Sequence, residues 1–141
     1  DGPVIFTRDT HDNDYLESQE GQHLPVVHCV KDTDGWQIVD GLLETAEKRN
    51  TIHPSFIIDK PNFGSSELVT RLQGMHRAEP IESITLVGLC TDICVVSNAV
   101  LLKTGLPEVS VHIDAKCCAG VTPESHEAAL ATMKMCQCVI D

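Results

Sequence analysis

Short apolar runs alternate with amphipathic segments along this chain, and this alternation restricts the possible folds more than any other feature. Runs rich in β-branched residues predict strands, and the segments between them have apolar residues at helical spacing. The predicted strands cover residues 4–6, 55–58, 83–89 and 109–113, and the predicted helices cover residues 39–48, 66 onward, 94 onward and 124–135. Such alternation implies parallel strands joined by right-handed crossovers. We therefore expect an α/β fold, a three-layer α/β/α sandwich with a mainly parallel sheet of Rossmann-like topology.

Length and charge limit the class of function. The chain has 141 residues, which fit a single domain over residues 1–141 with a core of its own. Its formal net charge of -11 argues against nucleic acid and anionic membranes as partners, so a small molecule is the expected ligand. There are seven cysteines and no apolar run long enough to cross a bilayer, which favours free thiols in the reducing cytoplasm.

The segment around Cys94 is the first candidate for chemistry. An uncharged, apolar strand at 83–89, expected to be buried on both faces, runs into a polar turn and then into a helix. Thr91 and Asp92 are residue types that cap helix N-termini. A thiol in the first turn of a helix is near backbone N–H groups that favour the thiolate, which is the nucleophilic form. Cys94 is therefore a candidate nucleophile, and the alternative is an inert core cysteine.

Two other predicted strands also end in residues that bear on chemistry. Asp9 and His11 follow the first strand, and Lys60 follows the second. Ligands of parallel sheets bind beyond the carboxyl ends of the strands, so we expect these groups to converge with Cys94 at one edge. Lys60 would stabilise a thiolate or a developing negative charge there, unless it is an ordinary surface lysine.

A long polar segment over residues 12–35 is the candidate metal loop. Loops of this length inside a compact domain are usually functional or disordered. Asp9, His11 and His28 are metal-ligand types, and a mixed set of carboxylates and imidazoles suits Zn²⁺, Mn²⁺ or Fe²⁺. The alternative is a solvated acidic loop. His126 and Trp36 are further candidates for lining a pocket, with packing roles as the alternative.

Four motifs in this order resemble the isochorismatase-like cysteine hydrolases, and most closely their nicotinamidase branch. GLCTDICV over residues 88–95 is similar to the nucleophile turn, and DKPNFGSS over 59–66 is similar to the segment of the catalytic lysine. RDTHDNDY over 8–15 with LPVVHCVKDTDGW over 24–36 resembles the nicotinamidase metal loop, and AGVTPESHEAAL over 119–130 resembles the entry to the final helix.

The resemblance implies an isochorismatase-like fold and an amidase that works through a thioester and releases ammonia from nicotinamide or a related small amide, a step of NAD salvage. It implies a cis peptide bond between Leu89 and Cys90 and a divalent metal ion, zinc first and manganese or iron otherwise, that orients the substrate. A homo-oligomer is also expected. The implied catalytic residues are Cys94 and Lys60, the implied oxyanion and substrate-binding residues are Cys90, Leu89 and Phe63, and the implied metal ligands are Asp9, His11, Glu20 and His28.

One departure from the family pattern concerns its third catalytic residue, an aspartate at the end of a first strand. No residue here matches that aspartate, so we expect the domain to lack its first strand and helix and a protein of these 141 residues alone to be nearly inactive. Two other functions stay open. One is a metal-free isochorismatase or carbamoyl-amide hydrolase, and the other is a catalytically dead scaffold that binds a ligand or forms dimers.

Overall fold

The computed structural model describes residues 2–49 and 56–141. The chain forms two compact units, Asp1–Asn62 and Phe63–Asp141, and each is described by itself below. The assignment of residues 1–141 to a single domain stays a prediction.

The first unit is built on two parallel strands, β1 (Ile5–Asp9) and β2 (Phe56–Lys60). Both strands extend further at their carboxyl ends than the predicted ranges, which were 4–6 for β1 and 55–58 for β2. Ser55, the predicted start of β2, lies outside the described residues. The extension consists of Thr7 and the four charged residues Arg8, Asp9, Asp59 and Lys60, and charged residues count against a strand in a sequence pattern. In the structure these charges pair across the two strands, because Arg8 is the register partner of Asp59 and Asp9 that of Lys60.

The segment predicted as an irregular loop, residues 12–35, contains regular structure. It holds a short helix, α1 (Gln19–His23), and two 3₁₀ turns, Tyr15–Glu17 and Asp34–Trp36. The Ser18 hydroxyl caps α1 by accepting a hydrogen bond from the Gly21 N–H at 3.0 Å. The prediction of a loop without periodicity was wrong here, since elements this short are set by caps rather than by an apolar repeat. Helix α2 (Leu42–Arg49) follows, three residues later than its predicted start.

Both ends of this segment are tied together by backbone hydrogen bonds. The His11 N–H donates to the Cys29 carbonyl at 3.0 Å, and the Lys31 N–H donates to the His11 carbonyl at 2.9 Å. These bonds form a parallel bridge between His11 and Val30. The segment between His11 and Cys29 therefore starts and ends at the same place, beside the end of β1.

The second unit has a three-stranded parallel sheet in the order β3-β4-β5, with strands β3 (Ser83–Leu89), β4 (Ser110–Ala119) and β5 (Val139–Ile140). Its helices are α3 (Ser66–Ala78), α4 (Val96–Gly105) and α5 (Pro123–Met135). The core between α4, α5 and the sheet is fully buried and consists of Leu102, Val111, Ile113 and Met133. Burial of such aliphatic side chains is the main stabilising contribution in this unit.

Strand β4 extends six residues beyond the predicted end at Ile113. Its pairing with β3 is irregular, because Leu86 is aligned with Ile113 whereas Gly88 is aligned with Cys118. Residues 114–117 therefore bulge out of the ladder before β4 rejoins β3. A bulge interrupts the alternation of apolar residues, which is why the sequence pattern ended the strand too early.

The prediction that β3 is buried on both faces was wrong. Its residues alternate between exposed and half-buried, and Val87 and Leu89 are 59% and 71% exposed. Successive side chains of a strand point to opposite faces, and helices α4 and α5 pack against the face of the sheet that carries Val111 and Ile113. The β-branched run of β3 reflects strand propensity rather than burial on both sides.

The α/β class with parallel sheets, predicted from the alternation of strands and helices, is confirmed. In the described part of the chain, no helix has the length and apolar character needed to cross a bilayer.

Candidate functional site

Three side chains of the first unit lie close together where β1 ends and where the segment of residues 12–28 returns to that end. Asp9 is the last residue of β1, His11 lies two residues later, and His28 lies just before the bridge that closes the segment. One potential ligand atom from each lies within 4.8 Å of the other two. These are three of the four residues predicted as metal ligands, and their closeness was expected from the order of the motifs.

The His11 imidazole is buried but is not satisfied by hydrogen bonds. Its Nε2 atom has no hydrogen-bond partner among the described residues. The nearest acidic oxygens, Asp9 Oδ2 and Glu20 Oε1, lie 4.0 and 3.8 Å away, which is too far for a hydrogen bond. A buried nitrogen without a partner costs free energy unless another group binds it. One nitrogen and two oxygens facing a common space are a donor set that suits a divalent cation such as Zn²⁺.

His28 is oriented so that one ring nitrogen is engaged and the other is available. Its Nδ1 atom lies 2.7 Å from the Val26 carbonyl, an acceptor, so Nδ1 carries the proton and donates it there. The Nε2 atom then has its lone pair directed away from the backbone. Metal-binding histidines usually use one nitrogen for the ion and the other for such an outer hydrogen bond.

Tyr15 packs against both histidines and was missed by the sequence analysis. Its ring centroid lies 4.5 Å from that of His11 and 5.0 Å from that of His28, and its hydroxyl donates to the Leu24 carbonyl at 2.9 Å. Burial raises the pKa of the Tyr15 phenol, and the nearby carboxylates of Glu20 and Asp9 raise it further. The phenol therefore stays protonated and remains a donor. The only signal in the sequence was a lone aromatic residue inside an acidic segment.

Lys60 is buried beside this cluster and pairs with Asp9. The Lys60 side chain is only 3% exposed, and its Nζ atom donates to Asp9 Oδ1 at 2.5 Å and to the Asn62 carbonyl at 3.0 Å. A buried ammonium group needs such partners, because an uncompensated charge would be strongly destabilising. The alternative of a solvated surface lysine is excluded by this burial. Asp9 thus offers one oxygen to Lys60 and the other to the space in front of His11.

The turn that carries Cys94 lies in the second unit. The peptide bond between Leu89 and Cys90 is cis, as the resemblance implied, and Gly88 has a φ of 121°, a value that favours glycine. Residues Thr91–Val95 form a turn of π-helix that leads directly into α4, with the Val95 N–H donating to the Cys90 carbonyl at 3.0 Å. Cys94 is half-buried in this widened first turn, so its predicted place at the start of a helix is confirmed.

A buried side chain that the sequence analysis missed, Asn98, holds the Cys94 turn. Its Nδ2 atom donates to the carbonyls of Cys94 at 2.8 Å and Phe63 at 3.3 Å, and its Oδ1 atom accepts from the Ser65 N–H at 3.0 Å. Asn98 is 5% exposed. One amide group therefore ties the Cys94 turn to the start of the second unit, where Phe63 was predicted to contact substrate. Mid-helix asparagine is disfavoured by propensity, and this was the available signal.

Thr91 and Asp92 do not cap the helix, contrary to the prediction. The Thr91 hydroxyl lies 2.8 Å from His126 Nδ1, and the Asp92 carboxylate accepts from the Val121 N–H at 3.0 and 3.2 Å. A hydrogen bond from Ser125 holds the pKa of Asp92 below its ordinary value, with the Val121 N–H acting in the same direction. Both side chains thus fix the connection between β4 and α5, and the tertiary partners outcompete the local cap.

Each remaining candidate has a defined place. His126 lines a small cavity of about 260 Å³ at the start of α5, together with Cys118 and Pro123. Trp36 lies over the Arg8 guanidinium instead, with 3.3 Å from the guanidinium carbon to the ring centroid. Phe63, Leu89, Cys90 and Cys94 all belong to the second unit, whereas Asp9, His11, Glu20, His28 and Lys60 belong to the first.

Comparisons with known proteins agree with one another. The family model described as the isochorismatase domain matches residues 1–141. No curated protein matches the chain in sequence. Among solved structures, the nicotinamidase PncA from Bacillus subtilis is 27% identical, with a TM-score of 0.77 over 98% of this chain and 74% of that protein.

Two further structures share the fold. The pyrazinamidase/nicotinamidase from Streptococcus mutans UA159 is 23% identical, with a TM-score of 0.79 over 99% of this chain and 75% of that one. The pyrazinamidase of Pyrococcus horikoshii, solved in complex with zinc, is 22% identical, with a TM-score of 0.75 over 99% of this chain and 75% of that one.

Proposed function

The chain belongs to the isochorismatase family, whose domain spans all of it, and from this premise we propose that it is a cysteine-dependent amidohydrolase of the nicotinamidase kind. The proposed substrate is nicotinamide or a related small amide. The proposed product is the matching carboxylic acid with release of ammonia. A nucleophilic thiol must stay reduced, so the proposal includes a reducing compartment such as the cytoplasm.

The observation that carries the nicotinamidase assignment is the buried Nε2 atom of His11. It faces carboxylate oxygens of Asp9 and Glu20 at 4.0 and 3.8 Å, and His28 lies beside it. This donor set fits a divalent metal ion, and the zinc in the Pyrococcus horikoshii pyrazinamidase supports zinc as the ion. A metal-free amidase of the family would have no use for such a set.

When bound, the ion would supply a Lewis acid that holds a ring nitrogen of the substrate and so orients its amide. Asp9, His11 and His28 would hold that ion, with Glu20 as the fourth ligand. The Val26 carbonyl keeps His28 in the tautomer with an available Nε2, and the ion pair with Lys60 holds the Asp9 carboxylate in position. These residues bind and orient, and the bond-making chemistry falls to the thiolate.

We assign the nucleophilic step to Cys94. Its thiolate sulfur forms a bond to the amide carbonyl carbon, and the carbonyl electrons move to oxygen, giving a tetrahedral oxyanion. Backbone N–H groups around Cys90 and Cys94 would stabilise that oxyanion, and Leu89 and Phe63 would contact the substrate. Collapse breaks the carbon–nitrogen bond, and the nitrogen takes up a proton from solvent water and leaves as ammonia. Water then adds to the thioester, the carbon–sulfur bond breaks, and the thiolate is restored while the proton lost by the attacking water returns to the solvent. Lys60 is assigned the stabilisation of developing negative charge.

Ammonia release from nicotinamide by the full-length protein, supplied with zinc, tests this function. Because no residue here matches the family's third catalytic aspartate, we expect slow turnover in the wild type, its loss in Cys94→Ala, and no change in Cys136→Ala, whose thiol lies at the carboxyl end of α5. Removal of the metal with a chelator should abolish turnover, and added zinc should restore it.

The outcomes separate the proposal from its alternatives. Turnover that survives in a metal-stripped enzyme would place the protein with the metal-free hydrolases of the family. Zinc binding without turnover of nicotinamide or any other small amide would indicate a catalytically dead scaffold.

A further inference from the structure

The two strands of the first unit carry opposite charges at two successive register positions. Arg8 faces Asp59, with Nε to Oδ1 at 2.7 Å and Nη2 to Oδ2 at 3.2 Å. At the next position Asp9 faces Lys60, whose Nζ lies 2.5 Å from Asp9 Oδ1. The charge order is therefore positive-negative on β1 and negative-positive on β2.

This order disfavours a shift of one strand along the other. Moving β2 by one residue in one direction places Lys60 opposite Arg8, and moving it in the other direction places Asp59 opposite Asp9. Like charges directly opposite each other destabilise a strand pair. The remaining partners are uncharged and mostly apolar, as Ile5, Phe6 and Ile57 are, and they would pair in any of these alignments. The charged positions therefore determine the register.

The Arg8–Asp59 pair lies on the face of the two strands opposite to Asp9 and Lys60, and Trp36 holds it in place there. The guanidinium lies under the Trp36 ring at 3.3 Å, and the indole N–H of Trp36 donates to the Thr10 hydroxyl at 2.8 Å. The Arg8 side chain is only 13% exposed. The hydrogen bond from Arg8 also keeps the pKa of the Asp59 carboxyl below its ordinary value, so the pair is ionised at neutral pH.

We infer that Arg8 and Asp59 are positioning residues for the proposed metal site, because they fix the register in which Asp9 meets Lys60 and faces His11. This inference rests on the proposed function insofar as Asp9 is taken as a metal ligand. A slip of one residue would carry the Asp9 side chain to the other face of the strand pair. Asp9 would then no longer lie opposite Lys60.

Zinc affinity, measured by competition with a chromophoric chelator, tests the inference. Arg8→Gln makes the protein more negative, which by itself strengthens attraction for a cation, so any weakening must come from geometry. We expect a loss of about 10-fold in Arg8→Gln. Arg8→Lys loses the two-pronged contact and the stacking on Trp36, but it keeps the charge that opposes a register shift, so it should lose clearly less affinity than Arg8→Gln. Lys31→Gln, which removes another cation near Asp59, is the matched control and should not lose affinity.

Asp59→Asn provides a second route to the same answer if Arg8→Gln does not fold. This variant removes the carboxylate that pairs with Arg8, and it should also weaken zinc binding about 10-fold. The control is Asp40→Asn, which removes an equal charge outside both strands and should leave zinc binding unchanged. Unchanged affinity in both Arg8→Gln and Asp59→Asn would overturn the inference. So would an Arg8→Lys variant as weak as Arg8→Gln, because the contact geometry of arginine would then matter rather than its charge.

Hydrogen exchange separates this inference from the proposed function. Backbone amides of residues 4–10 and 56–62 should exchange at least about 10-fold faster in Arg8→Gln than in Arg8→Lys, with or without metal. If the wild-type protein binds no zinc, the proposed metal site fails, and the exchange rates alone decide whether the charges set the register. Equal exchange in all variants would refute it.

Discussion

The imidazole rings of His11 and His28 pack edge to face with their centroids 4.8 Å apart. The two residues are far apart in sequence, and the bridge between His11 and Val30 brings them together. Neighbouring imidazoles with available nitrogens bind a divalent cation together more tightly than either does alone.

The first prediction concerns loss of one of these ligands. His28→Ala should weaken zinc binding by at least about 100-fold, more than the loss of an outer hydrogen-bond partner would. His23→Ala is the matched control, since His23 lies in the same segment but is exposed and bonded to the Gln19 carbonyl. Isothermal titration of the metal-free protein with zinc measures both. Equal losses in the two variants would contradict the assignment of His28.

The second prediction concerns Tyr15, which supports both histidines. Tyr15→Phe removes only the hydrogen bond to the Leu24 carbonyl and should cost about 1 kcal/mol of the free energy of unfolding, with zinc affinity retained. Tyr15→Ala removes the ring as well and should cost about 3–5 kcal/mol. It should also weaken zinc binding, because His11 and His28 lose their common contact. Urea denaturation followed by zinc titration checks both, and full zinc affinity in Tyr15→Ala would show that the ring plays no part in positioning.

The predicted metal ligands show where sequence reasoning succeeds, and Tyr15 shows where it fails. The ligand types and their order along the chain were enough to nominate Asp9, His11 and His28, because donor chemistry is a property of the side chain itself, and the family resemblance added Glu20. Tyr15 was not nominated, because its role depends on how the segment folds back on β1. The roles of Asp9, His11, Glu20 and His28 as metal ligands stay predictions, whereas the closeness of these side chains in space is observed.

The third prediction compares two half-buried cysteines at opposite ends of helices. Cys94 lies in the first turn leading into α4, whereas Cys136 caps the carboxyl end of α5. The helix dipole favours a thiolate at the amino end and disfavours it at the carboxyl end. Iodoacetamide at neutral pH should therefore modify Cys94 at least about 10-fold faster, as measured by peptide mass spectrometry. Burial raises the pKa of Cys138 and Cys118, so those thiols should also react slowly. A Cys94 no faster than Cys136 would favour the inert alternative.

The fourth prediction concerns the amide that holds the Cys94 turn. Asn98→Ala leaves the Ser65 N–H and two carbonyls without their partner and should cost about 2–3 kcal/mol of unfolding free energy. Asn13→Ala, at an exposed position, should change stability by less than about 0.5 kcal/mol. The Asn98→Ala variant should also alter the alkylation rate of Cys94. An unchanged rate together with lower stability would limit Asn98 to a structural role.

The fifth prediction follows from the lowered pKa of Asp92. The folded state favours the carboxylate, so the stabilisation is present above the ordinary pKa of 3.8 and is lost as the pH falls through the lower pKa of the folded protein. Asp92→Asn should therefore be less stable than the wild type at pH 7, by about 1 kcal/mol. The difference should shrink as the pH falls below the ordinary pKa of 3.8. Urea denaturation across this range measures it, and a difference independent of pH would contradict the argument.

The fold was predictable to different extents along the chain. The bounds of β3, the start of α3 and, to within one residue, the bounds of α5 follow from the apolar pattern and from the Thr122 cap, which the structure shows as a reciprocal pair with Ser125. The carboxyl ends of β1 and β2 were missed, because charged residues are counted against strands unless their partners are known. The bulge in β4 and the tertiary partners of Thr91 and Asp92 likewise depend on contacts between distant segments, which no local pattern reports.

The bridge between His11 and Val30 has a consequence for how such proteins diverge. The entropy of closing a loop grows only slowly with its length, so the exposed parts of residues 12–27 can be lengthened or shortened at small cost while the bridge holds and Tyr15 and Glu20 keep their places. His11 and His28 stand at the anchored base of that excursion rather than at its tip. Related chains can therefore vary the exposed part of this segment, and with it what is recognised, without moving His11 and His28, which we propose as metal ligands.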